Sequence, residues 1–199
     1  MGWARHKGGH GWRVLEDGRI EVEREGFPRT NGDPLTAHTL YNDHSAALEE
    51  AASYFELSVA LLVGVICVEA AQESPDWWRR DPTSYRKEPD GRESGGLMQT
   101  LLGTANTVNE RFGLYHDLHG DLEAVELQDL YVAERSIMLG AGYLRMVAER
   151  EGTEDPVKLQ AGYNAGGVYE DDGNRFNLRV YHPSRIPNFI AYHNDFLSI

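Results

Sequence analysis

The stretch Leu61-Leu62-Val63-Gly64-Val65-Ile66-Cys67-Val68-Glu69 decides how this chain is read. An uncharged, strongly apolar run ends on a carboxylate, and Ser58 stands where a helix N-cap is wanted, so a helix is expected to run through Glu69. A carboxylate in that place is costly to ionise unless something pairs with it. Burial without a cation turns a carboxylic acid into a proton donor near neutral pH. Cleavage of a glycosidic bond needs such a donor, because the leaving oxygen must be protonated as the bond breaks. A helix-end glutamate facing solvent is the plainer alternative.

Working outward, residues 12–23 alternate around Asp17-Gly18, a strong hairpin signal. Residues 1–11 are rich in glycine and histidine and are expected to be loose, and a loop with Pro28, Gly32 and Pro34 follows the hairpin. Helices are expected over residues 46–54, from Ser58 through Glu69, and over 100–112, 126–150, 155–165 and 188–196. Leu130, Ala133, Ile137, Gly140, Ala141 and Leu144 have the spacing of a core-facing stripe. The polar stretch 74–95, rich in Pro, Gly, Asp and Arg, reads as one long loop of the kind that usually carries function. The expected fold class is therefore mainly α, with a short N-terminal β-hairpin. The expected division is an extension over 1–43 and a helical domain over 44–199.

A chain of 199 residues with 41% hydrophobic and 26% charged residues is long enough for one real core. Its net charge of −13 excludes a general nucleic-acid binder, which needs a basic face to neutralise phosphates. The same charge is awkward for an enzyme acting on an anionic polymer, unless a basic patch such as Trp77-Trp78-Arg79-Arg80 compensates locally. The single cysteine, Cys67, cannot form an intramolecular disulfide and reads as core filler. The start of the chain shows no apolar signal segment, and no run reaches the about 18 apolar residues of a membrane span. A monomer made in the cytoplasm is expected, with delivery to any external target by another route.

Five segments in order then carry a family resemblance. Val65-Ile66-Cys67-Val68-Glu69-Ala70 resembles the catalytic helix of soluble lytic transglycosylases and goose-type lysozymes, with Ala70 where those families usually have Ser. Gly95-Gly96-Leu97-Met98-Gln99 with Thr104-Ala105, then Gly140-Ala141-Gly142-Tyr143-Leu144, and then Ala161-Gly162-Tyr163-Asn164-Ala165-Gly166 are similar to their second, third and fourth motifs. Tyr192-His193-Asn194-Asp195-Phe196 resembles the closing segment of the goose-type branch. The resemblance spans roughly residues 45–196 and implies a lysozyme-like helical domain that needs no cofactor. Its partner would be peptidoglycan or a related N-acetylated glycan polymer.

By the same resemblance Glu69 is the general acid, and Tyr163 is the tyrosine whose hydroxyl orients it. Gly96, Met98 and Gln99 line the sugar groove, Asn164 adds a polar contact, and Tyr143 and Tyr192 are further substrate-binding candidates. Core packing is the alternative for Leu97, Met98 and Tyr143. Glu73, four residues beyond Glu69 and followed by Ser74, is the rival acid.

Gly96 lies 27 residues after Glu69, longer than the usual family spacing, and the inserted stretch bears on the reaction type. An inverting hydrolase places a second carboxylate roughly 6.5–9.5 Å from the acid to activate water. Lytic transglycosylases do without one, because the muramyl C6 hydroxyl attacks intramolecularly and gives a 1,6-anhydro product. By the resemblance to goose-type lysozymes, Asp90, six residues before Gly96, is the candidate base, with Glu93 second, and a solvated Pro89-Asp90-Gly91 turn is the alternative. The goose-type branch tends to have an aspartate two residues after the motif glutamine, where this chain has Leu101. Trp77 and Trp78 could stack on sugar rings or anchor the loop. His116 and His119 lack a third ligand with recognised spacing, so they read as surface histidines and no metal site is expected. Cleavage of N-acetylglucosamine polymers and a non-catalytic wall-binding module remain as rival functions.

Overall fold

A computed structural model of the chain describes residues 2–31, 35–70, 79, 86–87, 90–117 and 119–198. Two antiparallel strands, β1 (Trp12–Val14) and β2 (Ile20–Val22), form the hairpin, with Trp12 opposite Val22 and Val14 opposite Ile20. Gly18 supplies the left-handed residue of its turn, at φ 85°. Helix α1 (Leu35–Phe55), kinked at His44, and helix α2 (Val59–Ala70) follow. A three-stranded sheet comes next, in the order β3 (Arg86–Lys87), β4 (Glu93–Gly95), β5 (Thr100–Leu101). The chain closes with α3 (Leu102–Phe112), a 3-10 turn (Leu127–Tyr131), α4 (Ala133–Glu151), α5 (Pro156–Ala165) and α6 (Arg185–Phe196). The fold is mainly α, as expected.

Helix α2 is the centre of the packing. It is apolar all round, so it has no solvent face to offer and sits between α1 and α6. Ser58 Oγ accepts from Leu61 N at 3.1 Å and starts it. Cys67 is buried within it, and burial pushes its thiol well above the usual range, so it is inert filler. A Cβ at Gly64 would lie 2.8 Å from the Phe189 ring, so glycine sets how closely α2 and α6 approach. Helix α4 presents Ile137, Gly140, Ala141 and Leu144 inward, as the stripe predicts, and packs on α1, α3 and α5.

Several boundaries differ from expectation, each for a physical reason. Helix α1 starts at Leu35, and the kink at His44 falls where the helical pattern becomes legible. The 126–150 segment is divided at Val132, whose extended backbone separates the 3-10 turn from α4. Helix α6 begins at Arg185 because Pro187 lies in the first turn, where its missing N–H costs nothing. The stretch 74–95 is not one loop, since β3 and β4 lie in it and pair with each other, and β4 pairs in turn with Thr100–Leu101. Nor are residues 2–11 loose: Ala4 pairs with Trp12, and His10 N donates to Arg175 O at 2.7 Å.

The N-terminal extension shares the helices' core. Trp12, Ile20 and Val22 are fully buried in the same cluster as α2 and α4. The Trp12 indole donates to Asp155 Oδ2 at 2.8 Å, and Asp155 also caps α5 by accepting from Val157 N at 2.9 Å. Asn194 grips β2 through Ile20 N and Ile20 O, both at 2.8 Å. Asp195, buried, pairs with Arg29 at 2.9 Å and accepts the Thr30 hydroxyl.

Candidate active site

Glu69 is the penultimate residue of α2, and its side chain is 8% exposed at the floor of a cleft of about 220 Å³. The cleft runs between the small sheet and the C-terminal helices. Arg86, Arg92, Ser94, Gln99 and Thr100 line its sheet side, with Thr104 of α3 beside them. Tyr143 of α4, Tyr163 and Asn164 of α5, Tyr181 and Arg185 line the other.

The carboxylate is divided between two helices. Glu69 Oε1 accepts from Gln160 Nε2 and Asn164 Nδ2, each at 3.3 Å. These two amides stand one turn apart on α5, and Asp155 and Trp12 hold the N-terminus of that helix in place. Glu69 Oε2 contacts Arg185 Nη1, at the first position of α6. A cation therefore does meet the buried carboxylate, which the apolar run preceding Glu69 gave no means to foresee. Asn164 also reaches the opposite way, where its Oδ1 accepts from Tyr181 N at 2.8 Å and ties the loop before α6 to the acid.

Tyr163 is placed differently from its expected role. Its hydroxyl donates to Met98 O at 2.8 Å and lies 3.0 Å from Thr100 Oγ1. Burial raises its pKa far above the usual phenol range, so it stays protonated and acts as a fixed donor. Its hydroxyl anchors the turn between β4 and β5, while amides and a guanidinium hold Glu69. Tyr143 lies against it with ring centroids 5.2 Å apart and is likewise raised by burial.

Of the second motif, Gln99 and Thr104 reach the cleft, whereas Gly96 and Met98 do not line it. Gln99 adopts a left-handed backbone, φ 49°, and its Nε2 donates to Gly96 O at 2.8 Å. Gly96, at φ 72°, abuts the 3-10 turn, where a Cβ would lie 1.6 Å from Leu130 O. Its glycine answers a close approach of backbone to backbone, away from the cleft lining. Met98 is fully buried, with its N donating to Ser136 Oγ at 3.1 Å. Tyr192 packs half-buried against the core and does not line the cleft.

Asp90 is also outside the lining. It sits exposed in a turn with Gly91, its Oδ1 accepting from Arg92 N at 3.1 Å and its Oδ2 from Arg92 Nε at 2.7 Å. The Arg92 backbone amide and then its guanidinium hold the Asp90 carboxyl below the usual range. Among the described lining residues Glu69 is the one carboxylate, against the guanidiniums of Arg86, Arg92 and Arg185. The basic patch expected around Arg79 is differently occupied: Arg79 makes a two-pronged contact with Asp43, at 2.7 and 2.6 Å. Glu73, Trp77, Trp78, Arg80 and Pro89 lie outside the described residues.

Sequence reasoning missed Gln160 and Arg185. Gln160 could have been found as the residue one turn before Asn164 on the same face of α5. Arg185 has only a faint signal, a cation opening a helix, where the dipole favours the opposite charge.

No family model matches the chain, and no curated protein matches it. Among solved structures it is similar to an inactive mutant of the lytic transglycosylase Slt from Pseudomonas aeruginosa, at 22% identity and a TM-score of 0.46. The match covers 77% of this chain and 20% of that one, so the matched region is about a fifth of the solved chain's length.

Proposed function

We propose that this chain is a lysozyme-like glycosidase that cleaves the β-1,4 bond between N-acetylmuramic acid and N-acetylglucosamine, with Glu69 as its general acid. The observation that carries the reading is the Glu69 carboxylate at the cleft floor, braced on Oε1 by Gln160 and Asn164. Two amides on one oxygen fix the carboxyl plane, so the other oxygen, Oε2, which Arg185 contacts, is the one that would carry the proton to the leaving sugar. Protonation of the glycosidic oxygen then proceeds as the bond to the anomeric carbon breaks.

Positive charge on the cleft wall supports an acidic glycan over a neutral one. Arg86, Arg92 and Arg185 outnumber the single carboxylate among the described lining residues, in a chain whose net charge is −13. Such local focusing draws in a carboxylated polymer that the whole molecule would repel. Arg92 can exchange Asp90 for a substrate carboxylate at little cost, because the pair is about half exposed on both sides and solvent screens it.

Mass spectrometry of digests tests the proposal. Muropeptides released from purified peptidoglycan are the expected outcome, and their ends report the route. Anhydro ends indicate intramolecular attack by the C6 hydroxyl, and reducing ends indicate water. Intact peptidoglycan beside degraded chitin oligomers would overturn the substrate assignment.

A further inference from the structure

The contact between Arg185 and Glu69 fits the resting enzyme and conflicts with acid catalysis. An ionised carboxylate is an acceptor only, and every described polar neighbour of Glu69 presents a donor: Gln160 Nε2, Asn164 Nδ2 and Arg185 Nη1. A general acid must instead carry a proton. The two amides occupy Oε1, so the proton belongs on Oε2, where Arg185 stands. A guanidinium has no acceptor to offer that proton. Arg185 has to leave before Glu69 can act.

Two features make it removable. As the first residue of α6, Arg185 places its cation at the positive end of the helix dipole, where the helix gives it no support. Its Nη1 touches Oε2, and among the described residues no second acceptor reaches that nitrogen. It also lines the space a sugar would enter. We propose that Arg185 is a positioning residue: it clamps Glu69 in the empty cleft and transfers to an oxygen acceptor on the incoming glycan, freeing Oε2 for the proton. The proposal rests on the glycosidase reading. Arg185 keeps its charge throughout. Solvent supplies the proton to Oε2, and that proton passes to the glycosidic oxygen as the C–O bond breaks.

The other charged or titratable groups among the described cleft residues are Arg86 and Arg92 on the sheet side, Tyr143 from α4, Tyr163 from α5 and Tyr181 from the loop before α6. Each of these residues is retained when Arg185 is replaced, so a comparison of variants reads the clamp against a constant set of groups. The pH profile of kcat/KM reports the free enzyme and that of kcat the complex. With Arg185→Gln, the alkaline limb of kcat/KM is expected to move up, while the limb of kcat stays nearly in place. KM should rise roughly tenfold with little change in kcat, as for a lost hydrogen bond to substrate. Arg185→Lys should restore most of the profile.

Equal movement of both limbs would mean that Arg185 stays on Glu69 during turnover, and movement of neither would mean that it is no clamp; either overturns the proposal. A melting curve checks that the glutamine variant folds, and if it does not, Arg185→Met, which likewise removes the charge, carries the same comparison. The carboxyl carbon NMR titration of Glu69 reads the clamp without turnover. If the wild type cleaves no glycan, the glycosidase reading fails alone. The clamp then stands or falls on whether that titration is displaced in the variants.

Discussion

Tyr163→Phe separates two roles for one hydroxyl. If the tyrosine orients the acid, its loss is a catalytic lesion; if it anchors the β4–β5 turn, its loss is a stability lesion. The hydroxyl is buried and satisfies Met98 O at 2.8 Å and Thr100 Oγ1 at 3.0 Å. Phenylalanine keeps the ring packing and strands a buried carbonyl and a buried hydroxyl. Each stranded group costs about 1–3 kcal/mol, and partial relaxation brings the expected total to about 2–4 kcal/mol. For a chain of this size that is a fall in Tm of roughly 4–16 °C, since each kcal/mol shifts Tm by about 2–4 °C. Paired scanning calorimetry and steady-state kinetics below the variant's Tm read both effects. The expected result is a clear drop in Tm with kcat reduced by less than about tenfold, because the hydroxyl is bonded to Met98 and Thr100 rather than to Glu69. An unchanged Tm with kcat down a hundredfold or more would refute the reasoning and return Tyr163 to the acid.

Three other outcomes follow from the packing and the site. Gly64→Ala should destabilise by about 1–3 kcal/mol through its clash with Phe189, and Phe189→Leu should recover part of that in urea unfolding. His193 is buried, and burial lowers its pKa to about 4 from 6.5. The unfolded chain takes up that proton first, so its contribution is constant above pH 6.5 and is lost as pH falls from 6.5 towards 4. The loss is at most about 3 kcal/mol, and stability measured against pH should decline less steeply in His193→Leu. Asp90→Asn should leave kcat within about threefold, because its carboxylate is exposed and tied to Arg92; a loss beyond a hundredfold, read on peptidoglycan, would make it the base after all.

The helical frame was legible wherever local chemistry agreed with tertiary need. The apolar run before Glu69 has no face that tolerates water, and Asp17-Gly18 can hardly be other than a turn. The small sheet was not legible: strands of two or three residues, such as Arg86–Lys87 and Thr100–Leu101, are too short to show alternation. Five of the expected site residues, Glu69, Gln99, Tyr143, Tyr163 and Asn164, meet in the cleft. Gly96, Met98 and Tyr192 instead serve packing, which a motif cannot distinguish from contact with a ligand. Arg185 escaped because its partner lies 116 residues away, and pairing across such a distance leaves no trace in spacing.

The central claim is that Glu69 supplies the proton, and Glu69→Gln tests it most directly. The amide keeps the size of the side chain but loses the charge that faces Arg185, so a melting curve is read alongside to show that the variant is folded. Release of muropeptides from purified peptidoglycan should then fall by at least about a thousandfold. A folded Glu69→Gln protein that still cut the glycan at a rate near that of the wild type would contradict the account.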